Sequence, residues 1–161
     1  MKKTFLKIDQ EFRAHWKHYV FQSFCAAIAI FLVLLVLGVE QAVIVAAIGA
    51  SAFVVFAMPK SIIAKTRNVL GGYIVGIGSG AVFSLIPHNG HIASVAICAL
   101  AVGCSIFIMV VTDTEHPPAS GVTLGIASLG FSLKVAITIL ISAIILVLVH
   151  RFFRRHLKDL I

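Results

Sequence analysis

Thr112-Asp113-Thr114-Glu115-His116-Pro117-Pro118-Ala119-Ser120-Gly121 interrupts a chain that is otherwise nearly all apolar. Asp113, Glu115 and His116 follow directly on an apolar run of about twenty residues, the length that spans a bilayer. Two prolines come next, then small residues, then another apolar run. Charge at the end of a membrane segment is ordinary. Charge, proline and small residues where one helix must stop and another start indicate a built site.

Composition fixes the class around that stretch. The 161 residues are 60% hydrophobic and 12% charged, about half the charge of a soluble domain. Several apolar runs approach or exceed the length of a spanning helix. The expectation is an all-α polytopic membrane protein with no second, soluble domain. Its net charge of +7 sits at the membrane borders, where the positive-inside rule places it, so nucleic acid is not implied. Cys25, Cys98 and Cys104 lie inside apolar runs without metal-like spacing and read as free, packed thiols. The start does not read as a signal peptide.

In chain order, residues 1–18 form a basic amphipathic segment, with Phe5, Ile8, Phe12 and Trp16 at helical spacing among Lys2, Lys3, Lys7, Arg13 and Lys17. A transmembrane domain follows over 19–150, then a basic tail over 151–161. The first span, Tyr19–Leu37, is bulky and ends at the turn Gly38-Val39-Glu40-Gln41. The second, Ala42–Met58, has a run of small residues around Ser51 that admits a close neighbour. A basic loop, 59–68, precedes the glycine-rich third span, Val69–Ile86. Pro87-His88-Asn89-Gly90-His91 is a turn whose two histidines read as solvated, with no metal site expected. The fourth span is Ile92–Val111. The fifth, Ala119–Leu133, is about 22 Å long against about 30 Å of hydrocarbon. Lys134 reads as an interruption before the last run, Val135–Val149.

The basic clusters at the N-terminus, at 60–67 and in the tail put all three in the cytoplasm. Both termini inside require an even count, so six spans are expected, the fifth short. A re-entrant hairpin over 113–130, with five spans and an outside tail, is the alternative. An internal repeat supports pairing the spans: Ala47-Ile48-Gly49-Ala50-Ser51-Ala52-Phe53 resembles Ala101-Val102-Gly103-Cys104-Ser105-Ile106-Phe107 at an offset of 54 residues, which also pairs Leu70 with Leu124, Gly71 with Gly125 and Gly76 with Gly130. Spans two and three would then be a parallel copy of spans four and five, with the loops 59–68 and 112–121 facing each other.

The chemistry reads as anion handling. Pro117 and Pro118 open a helix with His116 near its cap, and Ala119, Ser120 and Gly121 would leave backbone N–H groups accessible to a small anion. Lys60, Lys65, Arg67 and Asn68 would add donors. Asp113 and Glu115 would pair with those cations or with His116, or carry a proton with the substrate; His116 is the proton-coupling candidate. Simple boundary charges at inner helix ends are the plainer alternative. No catalytic motif is present and no enzyme, cofactor or metal is expected.

At this point the chain resembles the HPP family of integral membrane proteins, named for His-Pro-Pro. Thr112 to Ala119 is similar to the family's Thr-x-Thr-x-His-Pro-Pro-Ala block. Gly49-Ala50-Ser51-Ala52 through Phe56, Pro59, Ser61, Ala64, Arg67, Asn68, Gly71 and Gly72 is similar to its second block. Lys60, Ile62, Lys65 and Thr66 depart from that block's histidine, prolines and glutamine, and Asp113 stands where many members have a basic residue. The resemblance implies a membrane transporter or channel for a small monovalent anion, with nitrite foremost because plastid members are linked to nitrite transport. It adds Ser61 to the candidate site, and Ser51 and Ser105 would line the route. The family is commonly described with four spans, against six here. A non-transporting scaffold or sensor subunit is the second reading. A prokaryotic plasma membrane, the inner membrane where there are two, is the expected location, with homo-oligomers through the small-residue helices.

Overall fold

The computed structural model describes residues 2–37, 42–87 and 90–160. Among them are six α-helices: α1 (Lys2–Leu37), α2 (Ala42–Ala57), α3 (Thr66–Ser84), α4 (His91–Val111), α5 (Pro117–Leu129) and α6 (Leu133–Phe153), with single 3-10 turns at Ile62–Ala64 and Arg154–His156. The apolar face proposed for Phe5, Ile8 and Phe12, the turn at 38–41 and His88 lie outside the described residues or side chains. The boundary expected near residue 18 is not a break, since α1 runs through it as one helix of 36 residues. Helices α4 and α6 are long and apolar enough to cross a membrane, and α2 is apolar but shorter.

The helices alternate in direction, and hydrogen bonds gather every second connection at one end. The tail folds back there. The Leu160 N–H donates to the Ala57 carbonyl at 3.0 Å, the Lys60 N–H donates to Asp159 Oδ1 at 3.1 Å, and the Tyr19 hydroxyl donates to the Leu160 carbonyl at 3.1 Å. Buried Gln22 clasps the tail to the bundle: its amide donates to the carbonyls of Phe56 and Lys158 and accepts from the Lys158 N–H. A leucine at position 22 would leave these groups unpaired, each costing about 1–3 kcal/mol where water does not replace the bond. Gln22→Leu is expected to free residues 157–160, so that trypsin cuts after Lys158 about tenfold faster, as followed by mass spectrometry; an unchanged rate would show that the tail is held by other contacts.

Helix α5 is the central element. It packs on α2, α3 and α4, and most closely on α3, while α6 packs on α1, α2 and α3. The α3–α5 approach is set by Gly72, Gly76 and Gly80, which recur every fourth residue and so share one helix face. A Cβ on Gly76 would lie 2.6 Å from the Ala119 carbonyl oxygen, and one on Gly80 would lie 2.8 Å from Ile126 Cβ. Thr123 Oγ1 ties the two helices by donating to the Gly76 carbonyl at 3.1 Å.

Two helix boundaries differ from the reading of the sequence. Helix α5 has 13 residues and starts at Pro117, because both prolines fit the first turn. It stops at Gly130, whose φ of +91° only glycine adopts readily. Lys134 interrupts nothing: it sits exposed in the first turn of α6, after Ser132 at the N-cap. The break is Gly130-Phe131-Ser132. Residues 117–129 form one continuous helix, not a re-entrant hairpin, and the tail returns to the end that holds residues 58–65.

Candidate functional site

The linker 112–116 begins as a helix stop. The Thr114 N–H donates to the Met109 carbonyl at 2.9 Å and the Asp113 N–H to the Val110 carbonyl at 3.4 Å, the pairing that closes a Schellman-type C-terminus. Asp113 takes the left-handed position that glycine usually fills, at φ +51°. It is exposed and turns the chain. Asp113→Gly is therefore expected to raise the melting temperature and Asp113→Val to lower it, each by about 1 kcal/mol in stability, since β-branched residues fit that conformation worst. Equal melting of the two variants would show that the backbone conformation there carries no cost.

Three residues later the chain dives inward. His116 caps α5 in an extended conformation and is fully buried. Its place is made by Gly72, where a Cβ would lie 2.6 Å from His116 Cβ. Nδ1 stands 2.9 Å from the Ile63 carbonyl. A carbonyl only accepts, so Nδ1 carries a proton and donates. In the neutral ring Nε2 is then an acceptor, 2.8 Å from Ser51 Oγ. Ser51 Oγ also lies 2.6 Å from the Tyr73 hydroxyl. One consistent set of donors results: Tyr73 donates to Ser51, Ser51 to His116 Nε2, and His116 Nδ1 to Ile63. Ser51 has a second outlet, the Ala47 carbonyl at 3.2 Å. Burial pushes the His116 imidazole below its ordinary value, and the bond to Ile63 opposes this in part.

Around this core the two loops are laced together. Arg67 Nη2 donates to the Thr112 carbonyl at 2.9 Å. Asn68 Nδ2 donates to the Glu115 carbonyl at 3.3 Å and to Glu115 Oε2 at 3.2 Å. So Glu115 takes an amide, and Arg67 a carbonyl, where ion pairs were expected. The loops 59–68 and 112–116 do face each other.

The structure thus brings Ser51, Asn68, Arg67, Glu115 and His116 together, with Pro117 and Pro118 opening α5. Others stand apart. Lys60 is exposed and held through its backbone by Asp159. Ser61 precedes the 3-10 turn, half-buried, without a side-chain cap bond. Ser105 is buried in α4 and bonds back to the Val102 carbonyl. Ser120 Oγ is buried without a hydrogen-bond partner. Of the expected cradle of N–H groups, Pro117 and Pro118 supply none, and the Ala119 N–H is used by the His116 carbonyl at 2.9 Å. Reading the sequence missed Tyr73 and the Ile63 carbonyl. The spacing of Gly72, Gly76 and Gly80 was a visible signal for the packed face. A backbone carbonyl leaves none.

Two transmembrane proteins of Dictyostelium discoideum are similar, one 33% identical over 90 residues and the other 32% identical over 85. These matches cover 55% and 53% of this chain but 31% and 27% of the relatives, so the chain spans about a third of their length. No solved structure matches. The family model described as "HPP, transmembrane region" matches residues 11–159, nearly the whole bundle with its His116-Pro117-Pro118 turn. The chain therefore belongs to the HPP transmembrane-region family and is a membrane protein.

Proposed function

We propose that the protein is a transporter or channel for a small monovalent anion, with nitrite the first candidate from the family resemblance. The observation that carries the reading is the buried Tyr73–Ser51–His116 chain beneath a basic end of the bundle. Hydroxyls and a neutral imidazole in series can pass a proton without a charged side chain resting in the interior. That suits an anion that crosses together with a proton. The six helices each cross the bilayer, α5 by the shortest path, and the end holding the 59–68 loop and the tail faces the cytoplasm of a prokaryotic plasma membrane. The parallel repeat finds support in α2 packing on α5 as α4 packs on α3. It departs from symmetry because α4 also packs on α5, with no equal packing of α2 on α3.

A scaffold or sensor subunit is the second reading, favoured by the complete burial of His116 with both ring nitrogens paired. Proteoliposome uptake separates the two. Nitrite, nitrate, formate and chloride would be compared with and without a pH gradient, for the native chain and Tyr73→Phe. That variant removes one hydroxyl and keeps the ring packed. Gradient-driven flux of one anion, reduced at least about tenfold in Tyr73→Phe, is the expected result. No flux above empty vesicles for any of the four, with folded protein present, selects the scaffold.

A further inference from the structure

A second polar feature is lined by residues of the loop before α3, the start of α3 and the end of α6, none of them in the Ser51–His116 chain. His116 and α5 pack against α2, α3 and α4, whereas α6 packs against α1, α2 and α3. Where the end of α6 meets the start of α3, a cleft of about 330 Å³ is lined by Pro59, Lys65, Thr66, His150, Arg151 and Arg154. Three cationic side chains share it, and no carboxylate is among its described lining residues. His150 is only 7% exposed, and its Nε2 is buried without a hydrogen-bond partner. An orphaned buried nitrogen beside three cations is costly unless something completes it. Helix α3 also begins here, at Thr66, with no side chain capping its first turn. Its free N–H groups and the positive end of its dipole add to the same local field.

We propose that this cleft binds a phosphate-class oxyanion, with Arg151, Arg154 and Lys65 supplying charge and His150 a hydrogen bond from within. Guanidinium groups suit the paired oxygens of a phosphate, and the lysine adds a point charge. The cleft stands at the basic end of a membrane bundle, where either the phosphodiester of an anionic lipid headgroup or free phosphate can reach it. The site is separate from the Ser51–His116 chain and does not depend on what, if anything, the protein transports.

Binding is tested on the purified full chain in a neutral detergent by thermal shift. Inorganic phosphate, short-chain phosphatidylglycerol and short-chain phosphatidylcholine are titrated against sodium chloride of equal ionic strength. A saturable rise in melting temperature with phosphate or phosphatidylglycerol is expected, because a ligand that binds only the folded state stabilises it. Phosphatidylglycerol acting alone assigns the lipid as the source, phosphate acting alone assigns the free anion, and both acting together assign the phosphate group itself. The double variant Arg151→Gln/Arg154→Gln, both exposed positions, should weaken the apparent affinity at least about tenfold, and His150→Phe, which keeps the ring volume and removes the hydrogen-bonding nitrogens, should weaken it as well. The proposal is overturned if neither probe acts beyond salt up to about 10 mM, if phosphatidylcholine acts as strongly as phosphatidylglycerol, or if the arginine double variant binds like the native chain.

Discussion

Gly76→Val is expected to leave no folded protein, while Gly78→Ala, two residues along the same helix, is expected to be tolerated. The first Cβ would lie 2.6 Å from the Ala119 carbonyl oxygen and 3.2 Å from Thr123 Oγ1. Carbon and oxygen in contact prefer about 3.3 Å or more. The obstruction is backbone, so no rotamer relieves it; α3 and α5 must move apart. Separation weakens the packing between them and stretches the Thr123–Gly76 bond of 3.1 Å. In a membrane that loss is not offset by hydrophobic burial, because lipid is as apolar as the interior. Gly76→Ala should cost about 2–3 kcal/mol, read as a fall of about 5–10 °C in melting temperature in detergent. Two further methyl groups in Gly76→Val then exceed what a marginally stable fold can absorb. Gly78 faces away, with nothing within 4 Å of an added Cβ. Alanine there should be neutral or stabilise by about 0.5–1 kcal/mol, since glycine weakens a helix. Similar melting of Gly76→Ala and Gly78→Ala would mean that the helices do not approach as closely as described.

The same contrast explains what could be read from the sequence. The His116-Pro117-Pro118 stretch declared itself, because proline, charge and small residues together are a conspicuous way to join two apolar helices. Ser51 declared itself as a hydroxyl in a small-residue run. Tyr73 did not, because a tyrosine in an apolar helix reads as packing until its hydroxyl is seen 2.6 Å from Ser51 Oγ. The Ile63 carbonyl could not, since any residue carries one. Lys134 misleads because in the sequence a charge reads as the break, whereas the break is conformational and belongs to Gly130. The N–H cradle has fewer donors than the sequence suggests for a related reason: the prolines that mark a helix start also remove its donors, and the turn at Ala119 spends the next one. Asp113 reads in the sequence as a partner for a cation or a carrier of a proton, yet its place at a helix end follows from a backbone angle.

His116→Ala is the other substitution expected to have a large effect, about 3–5 kcal/mol, and the reasons can be separated by smaller changes. Alanine removes a fully buried ring and opens a cavity. It also leaves the Ile63 carbonyl without its donor. Ser51 is less affected, because its hydroxyl can turn to the Ala47 carbonyl at 3.2 Å. The order His116→Asn above His116→Ala follows, since an asparagine amide nitrogen falls near Nδ1 and can donate to Ile63. His116→Gln reaches toward Nε2 instead and should restore the Ser51 link while leaving Ile63 unpaired. Melting temperatures in detergent should rank native above Asn, and Asn above both Gln and Ala. If Gln proves more stable than Asn, the Ser51 contact, and not the Ile63 contact, is the one that holds the turn. The pH dependence carries the same information. Burial holds the folded His116 below the unfolded imidazole value of about 6.5. Above that value both states are neutral and the ring's contribution is complete. As pH falls below it, the unfolded chain takes up a proton that the folded protein resists, and stability is lost by up to about 1.4 kcal/mol per pH unit until the folded ring also titrates. The native chain should therefore lose stability between pH 7 and 5 more steeply than His116→Asn. Parallel slopes would show that the ring is protonated as readily in the bundle as in the open chain, and the neutral hydrogen-bond order from Tyr73 through Ser51 to Ile63 would have to be reversed at Nε2.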